Sequence, residues 1–245
     1  MRTSNPAVSK AVFQNARTAD LSGQMTIKGT INKSFLMLGL ILITGGLTWN
    51  AALAGATWIN GGLIGAAIVG FILALVTIFR PQTAHITAPL YALAEGVVLG
   101  AVSVMYNTLY DGIVFQAVLL TLAVLLLMLL LYRTGVLRAT PAFRRGVFIA
   151  TGAVAVVYLV QWLLGMFTSG GGIPMVNGSG IGGILFSLVV VGIAAFNLII
   201  DFDNISEGEA NGAPKRYEWY GAFALMVTLI WLYLEILRLL GKLRR

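Results

Sequence analysis

From Phe35 to Leu240 the chain alternates long apolar runs with short polar links. Seven runs are long enough to cross a membrane: Phe35–Ala54, Asn60–Phe79, Ala88–Asn107, Ile113–Tyr132, Gly146–Phe167, Ile181–Ile200 and Trp219–Leu240. A bilayer core about 30 Å thick takes roughly 20 apolar residues of helix, so the pattern predicts an all-α polytopic membrane protein with seven transmembrane helices. Three regions follow: a polar, basic tail over 1–33, a transmembrane domain over 34–241 and a short basic end over 242–245. The tail lacks the apolar core of a signal peptide and is read as retained.

Polar residues inside the runs stand out because ionisable groups in hydrocarbon are costly. The chain has nine acids, and Glu95 falls within the third run. Gly96-x-x-x-Gly100 follows it, with Ala92, Ser103 and Asn107 near the same face, so Glu95 is expected to point into the bundle. Gly61, Gly65 and Gly70 suggest close packing of the second helix. The link RPQTAHITAP (80–89) makes a tight, proline-bounded hairpin, and the leucine-rich fourth run reads as a lipid-facing wall. The sixth run ends in FNLIIDFDNIS (196–206), where Asn197 and Asp201, four residues apart, share a helix face. Asp203, Glu207 and Glu209 are expected in a mixed-charge loop before Glu218, and that loop fails the calcium-loop template at Ile205. In the last run Thr228 lies midway, and Glu235 faces Arg238 at i,i+3 as an ion pair near the interface.

Composition narrows the chemistry. Hydrophobic residues make up 58% and charged residues 10%, which excludes an ordinary soluble domain. The net charge of +7 reads as flanking charge on a membrane protein, not as a nucleic-acid surface. With the N-terminus inside, twelve Lys and Arg residues fall on the cytoplasmic side and four (Arg238, Lys242, Arg244, Arg245) fall outside. That basic C-terminus leaves open whether the seventh segment fully crosses. Cysteine is absent, and the single histidine, His85, sits in a link. No lysine lies within a run to carry retinal, and a zinc or serine hydrolase lacks the histidines it needs. The glycines of 168–180 have no phosphate-cradle spacing. No enzymatic role and no cofactor are expected.

Three segments, YALAEGVVLGAVS (91–103), FNLIIDFDNIS (196–206) and EWYGAFALMVTLIWLYLEILRLL (218–240), together resemble the Bax inhibitor-1, or transmembrane Bax inhibitor motif, family. SNPAVSKAVF near the N-terminus and MTIKGTINK before the first run are similar to its bacterial branch. The resemblance implies six helices wrapped around a central seventh. It also implies a pH-sensitive calcium leak gated by a pair of acids joining the sixth and seventh helices near the cytoplasmic side, in a bacterial plasma membrane. Asp201 matches the sixth-helix acid; Thr228 stands where the seventh-helix acid belongs, with Glu235 two turns further on.

Depth gives a physical version of the same site. Glu95 lies about 10 Å inside the third run at 1.5 Å per residue, and Thr228 enters to a similar depth from the same side. Asp201 and Glu95, with oxygens from Asn197 and Thr228, are therefore expected to line a path for a hard cation such as Ca²⁺, with protons competing. Arg80 is the candidate to pair with Asp201 in a closed state. Asp203, Glu235 and Arg238 are secondary candidates. Two other readings stay open: Glu95 as a neutral, hydrogen-bonded scaffold acid, and the whole protein as a non-conducting regulator of a membrane protease or another membrane partner.

Overall fold

The computed structural model describes residues 23–167 and 173–245. The tail over 1–22 and part of the glycine loop, 168–172, lie outside the described residues. Seven helices are long and apolar enough to cross a membrane: α1 (Ile27–Leu53), α2 (Ile59–Phe79), α3 (Ala84–Leu109), α4 (Ile113–Arg133), α5 (Pro141–Phe167), α6 (Ile181–Ala210) and α7 (Tyr217–Leu243). Successive helices run antiparallel. The end holding the start of α1 is termed the near end, and that holding the close of α7 the far end.

All seven expected runs are helices, but several extend well beyond the apolar stretch. Hydropathy marks the hydrocarbon slab, whereas hydrogen bonding carries a helix on until a cap stops it. Thus α1 begins at Ile27, within the expected tail, because the Thr26 side chain accepts a hydrogen bond from the Gly29 N–H as an N-cap. The largest correction is at α6, which continues ten residues past Ile200. Asp203, Glu207 and Glu209 therefore lie on helical turns and not in a loop. Two of the three share one cation across the near end. Arg144 of α5 pairs with Asp203 and with Glu207, at 3.1 Å for the latter, and Tyr132 of α4 donates to Asp203 at 3.1 Å.

α7 is the central post. It is the most enclosed of the seven spans, touching α6, α1, α4 and α3. One core joins it to α1 and α3 through Met37, Ala92, Ala222 and Met226; another joins it to α4 and α6 through Ala117, Leu198, Leu232 and Leu237. Twenty-seven continuous residues, about 40 Å of helix, reach from one end of the bundle to the other, so the seventh segment is not re-entrant. The wrapping is uneven. α2 packs chiefly on α3, and α5 chiefly on α6, leaving both with broad apolar faces for lipid. The leucines of α4 also face outward, while Ile113, Ala117 and Thr121 turn inward.

The α1–α3 contact rests on absent side chains. An added Cβ at Gly100 would stand 2.5 Å from the Gly45 carbonyl, and one at Gly96 would stand 2.7 Å from the Ile41 carbonyl. Here the expected Gly96-x-x-x-Gly100 packing is realised. The second-helix expectation holds only in part. Gly61 and Gly65 face open space, and Gly70 alone approaches another helix, meeting Ala94 and Glu95 of α3.

A substitution of Gly100 should therefore cost far more than one of Gly61. Gly100→Leu is expected to destabilise by about 2 kcal/mol or more through overpacking, read as a lower unfolding midpoint in detergent. If Gly61→Leu lowers the midpoint as much, the α1–α3 spacing is not set by this glycine.

Candidate functional site

Asp201 lies about 14 Å into α6 from its near-end terminus, and Thr228 about 16 Å into α7 from the same end. The two helices bring them together: the Thr228 hydroxyl donates to Asp201 Oδ2 at 2.6 Å. Thr228 is buried and Asp201 half-buried. Asp201 Oδ1 receives no hydrogen bond among the described residues, and Asp201 lines a near-end cavity of about 220 Å³ between α6 and α7. Small residues make that space, with Gly208 on α6, Gly221 and Ala224 on α7, and Ala213 in the connecting turn; Tyr217 and Tyr220 supply aromatic walls.

Met25 forms part of the same wall. The residues ahead of α1 cross the α6–α7 turn as a strap: Met25 N–H donates to the Ala213 carbonyl at 2.6 Å, and Lys215 N–H to that of Gly23 at 2.7 Å. The Met25 thioether is buried, so close to the cavity's glycines that a Cβ at Gly208 would lie 2.8 Å from its sulfur. Glu218 secures the strap. Its buried carboxylate accepts from the Thr26 N–H and hydroxyl, each at 3.0 Å, and pairs with Lys33 of α1. Gly29 leaves room for that carboxylate, because any Cβ there would overlap it. Glu209 accepts from the Ile27 N–H at 2.9 Å.

The other expected site residues lie elsewhere. Asn197 is four residues from Asp201, a rotation about 40° beyond a full turn, enough to face a different helix. Its amide donates to Thr151 of α5 at 2.8 Å and to the Ile193 carbonyl at 2.9 Å. Glu95 is half-buried on the α2 side of α3, with its Oε1 against Gly70 and Tyr91 one turn away. The small-residue face of α3 is occupied by α1, and Glu95, one residue before Gly96, is turned about 100° from it. Neither residue lines the Asp201 cavity. Arg80 ends α2 with an exposed side chain and makes no ion pair among the described residues. Asp203 belongs to the Arg144 cluster.

Glu235 and Arg238 do form the expected pair, at 2.9 Å, but Glu235 is buried and not a surface acid. Tyr158 of α5 donates to both its carboxylate oxygens, at 2.8 and 2.9 Å, and the Trp231 indole donates at 3.3 Å. The Arg238 guanidinium stacks on the Tyr158 ring at 4.7 Å.

Among the described residues no three His, Cys, Asp or Glu side chains converge as a metal site. Asp201 and Thr228 thus offer one carboxylate and one hydroxyl at the inner end of a cavity. Such a pair suits reversible exchange of a proton or a weakly held cation better than a high-affinity cage. Sequence reasoning missed Met25, Lys33 and Glu218, although Thr26 followed by a helical run is a legible start signal.

Comparison with curated proteins and with solved structures finds no match. A family model described as Bax inhibitor 1 like matches residues 5–245. With essentially the whole chain matched and seven membrane-length helices in place, this protein belongs to the Bax inhibitor 1 like family.

Proposed function

We propose that this protein is a pH-sensitive cation leak, with Ca²⁺ as the passing ion and Asp201 as the residue that attracts it. The observation that carries the reading is the unpaired Asp201 oxygen beside a cavity, where every neighbouring near-end acid is already committed to a partner. The protein would act as a conductor and not as an enzyme. The near end is assigned to the cytoplasm of a bacterial cell, since most flanking Lys and Arg residues sit there.

The cation would enter between Tyr217 and Tyr220, displace the Thr228 hydroxyl as sole partner of Asp201, and wait on the apolar layer beyond. That layer includes Leu198 and Leu232, both fully buried, so passage requires α7 to shift against α6. Protonation removes the Asp201 charge and with it the attraction, so acid should suppress the leak. Family membership supports the class of activity, and Met25 supports a resting state with the mouth covered.

In proteoliposomes, Ca²⁺ flux should fall as pH is lowered from about 8 to about 6, as protons compete with the cation for the Asp201 carboxylate. Asp201→Asn should give low, pH-independent flux. Equal flux and equal pH response in wild type and Asp201→Asn would sink the proposal. Glu95→Gln, on the α2 side, reports how far the path extends: an unchanged pH response confines the site to Asp201 and Thr228.

The strap gives a separate expectation. Met25→Ala removes about 2 kcal/mol of packing from the cavity's cover, and flux should rise above wild type while remaining sensitive to Asp201→Asn. Flux at or below the wild-type level would show that Met25 does not restrict the mouth.

A further inference from the structure

The far end holds a second cavity, of about 450 Å³, with the opposite electrostatic character. Its polar lining includes Arg238 and Lys242, four residues apart and so on one side of α7, and Arg245 just past the end of that helix. Tyr106 and Tyr110, from the end of α3, add aromatic walls bearing hydroxyls. No acid lines it.

The charge balance there is incomplete. Arg238 is answered by Glu235. Lys242 is buried at 6% exposure, yet its ammonium donates only to neutral groups, the Gly183 carbonyl at 3.0 Å and the Ser187 hydroxyl at 2.8 Å. Neither Lys242 nor Arg245 has a carboxylate within ion-pair distance among the described residues. Two like charges beside one half-open cavity repel each other and favour an anion between them. Gly241 keeps the space open, since a Cβ there would meet the Tyr106 ring at 2.9 Å.

Position suggests the ligand. α7 is about 40 Å long and exceeds the hydrocarbon core, so its last turns reach the headgroup layer. Apolar lining is supplied by Met105 and Leu109, both exposed, and by the buried Val176. Arginine and lysine side chains together suit a phosphate group at such a depth. We infer that this cavity is a binding site for a phosphate-bearing anion, held by Lys242, Arg245 and Arg238 at the end of the bundle opposite Asp201. The site also accounts for the basic C-terminus behind the last span: those charges serve a ligand there as well as topology.

The phosphate has two sources, an anionic lipid headgroup or a free ion, and one experiment separates them. Full-length protein is delipidated in neutral detergent, and binding of phosphatidylglycerol, phosphatidylcholine and inorganic phosphate is measured by native mass spectrometry and titration calorimetry. Phosphatidylglycerol should bind about tenfold more tightly than phosphatidylcholine, the weight of one charge-assisted contact. Lys242→Gln and Arg245→Gln should each abolish most of that preference, whereas Arg133→Gln, which removes the same charge at the near end, should not. Binding of inorganic phosphate that is lost in the same variants, without a lipid preference, identifies a free anion as the ligand. Should Lys242→Gln fail to fold, Arg245→Gln, exposed at the chain end, carries the comparison. The site is overturned if neither lipid preference nor phosphate binding is found, or if both variants bind as wild type does.

Discussion

A polar or charged side chain inside a bilayer must find a partner within the protein, because lipid offers none. α7 meets this constraint four times along its length, and each time a different part of the bundle answers. Glu218 is held by Lys33 and the Thr26 strap, Thr228 by Asp201 of α6, Glu235 by Tyr158 of α5 and Arg238, and Lys242 by Ser187 and the Gly183 carbonyl of α6. These rungs fix the rotation of the central helix and the register of the helices around it. Apolar packing alone specifies such registers poorly, since leucine-like surfaces meet lipid as readily as they meet each other.

The rungs are not equivalent. Glu218 and Glu235 each accept several hydrogen bonds and pair with a cation, so their carboxylates are fully engaged. Asp201 has a single hydroxyl donor and stands beside a cavity. Lys242 has neutral partners only. Among these rungs the incompletely answered charges therefore lie at the two cavities, negative at the near end and positive at the far end. A bundle whose charges were placed for stability alone would be expected to complete these pairs too.

Much of this was legible in the chain. Helix number follows from hydropathy and the close packing at Gly96 and Gly100 from small-residue spacing, while the pairing of Asp201 with Thr228 came from the family resemblance. What did not follow were the partners set by rotation. Asn197 and Glu95 lie at suitable depths, but their helices turn them toward α5 and α2. Depth is a one-dimensional property, and a site requires azimuth as well. The acid-rich end of α6 was misplaced for a related reason: its charge suggested solvent and a loop, whereas Arg144 pairs with Asp203 and Glu207 and Tyr132 donates to Asp203, partners that hold the acids on a continuing helix.

Thr228 alters what protonation can do at the α6–α7 contact. Two facing acids need a shared proton to remain in contact, and losing it sets two like charges against each other. A hydroxyl facing an acid has no such dependence. Threonine donates to the ionised carboxylate, and when Asp201 is protonated the same oxygen can accept. On the proposed reading, the helix contact at 2.6 Å would thus persist through titration, while the charge offered to a cation would appear and disappear. A pH response in this chain would accordingly act through the ion's affinity for Asp201, not through rupture of a latch. Opening would then depend on the strap and on α7 shifting past the apolar layer at Leu198 and Leu232.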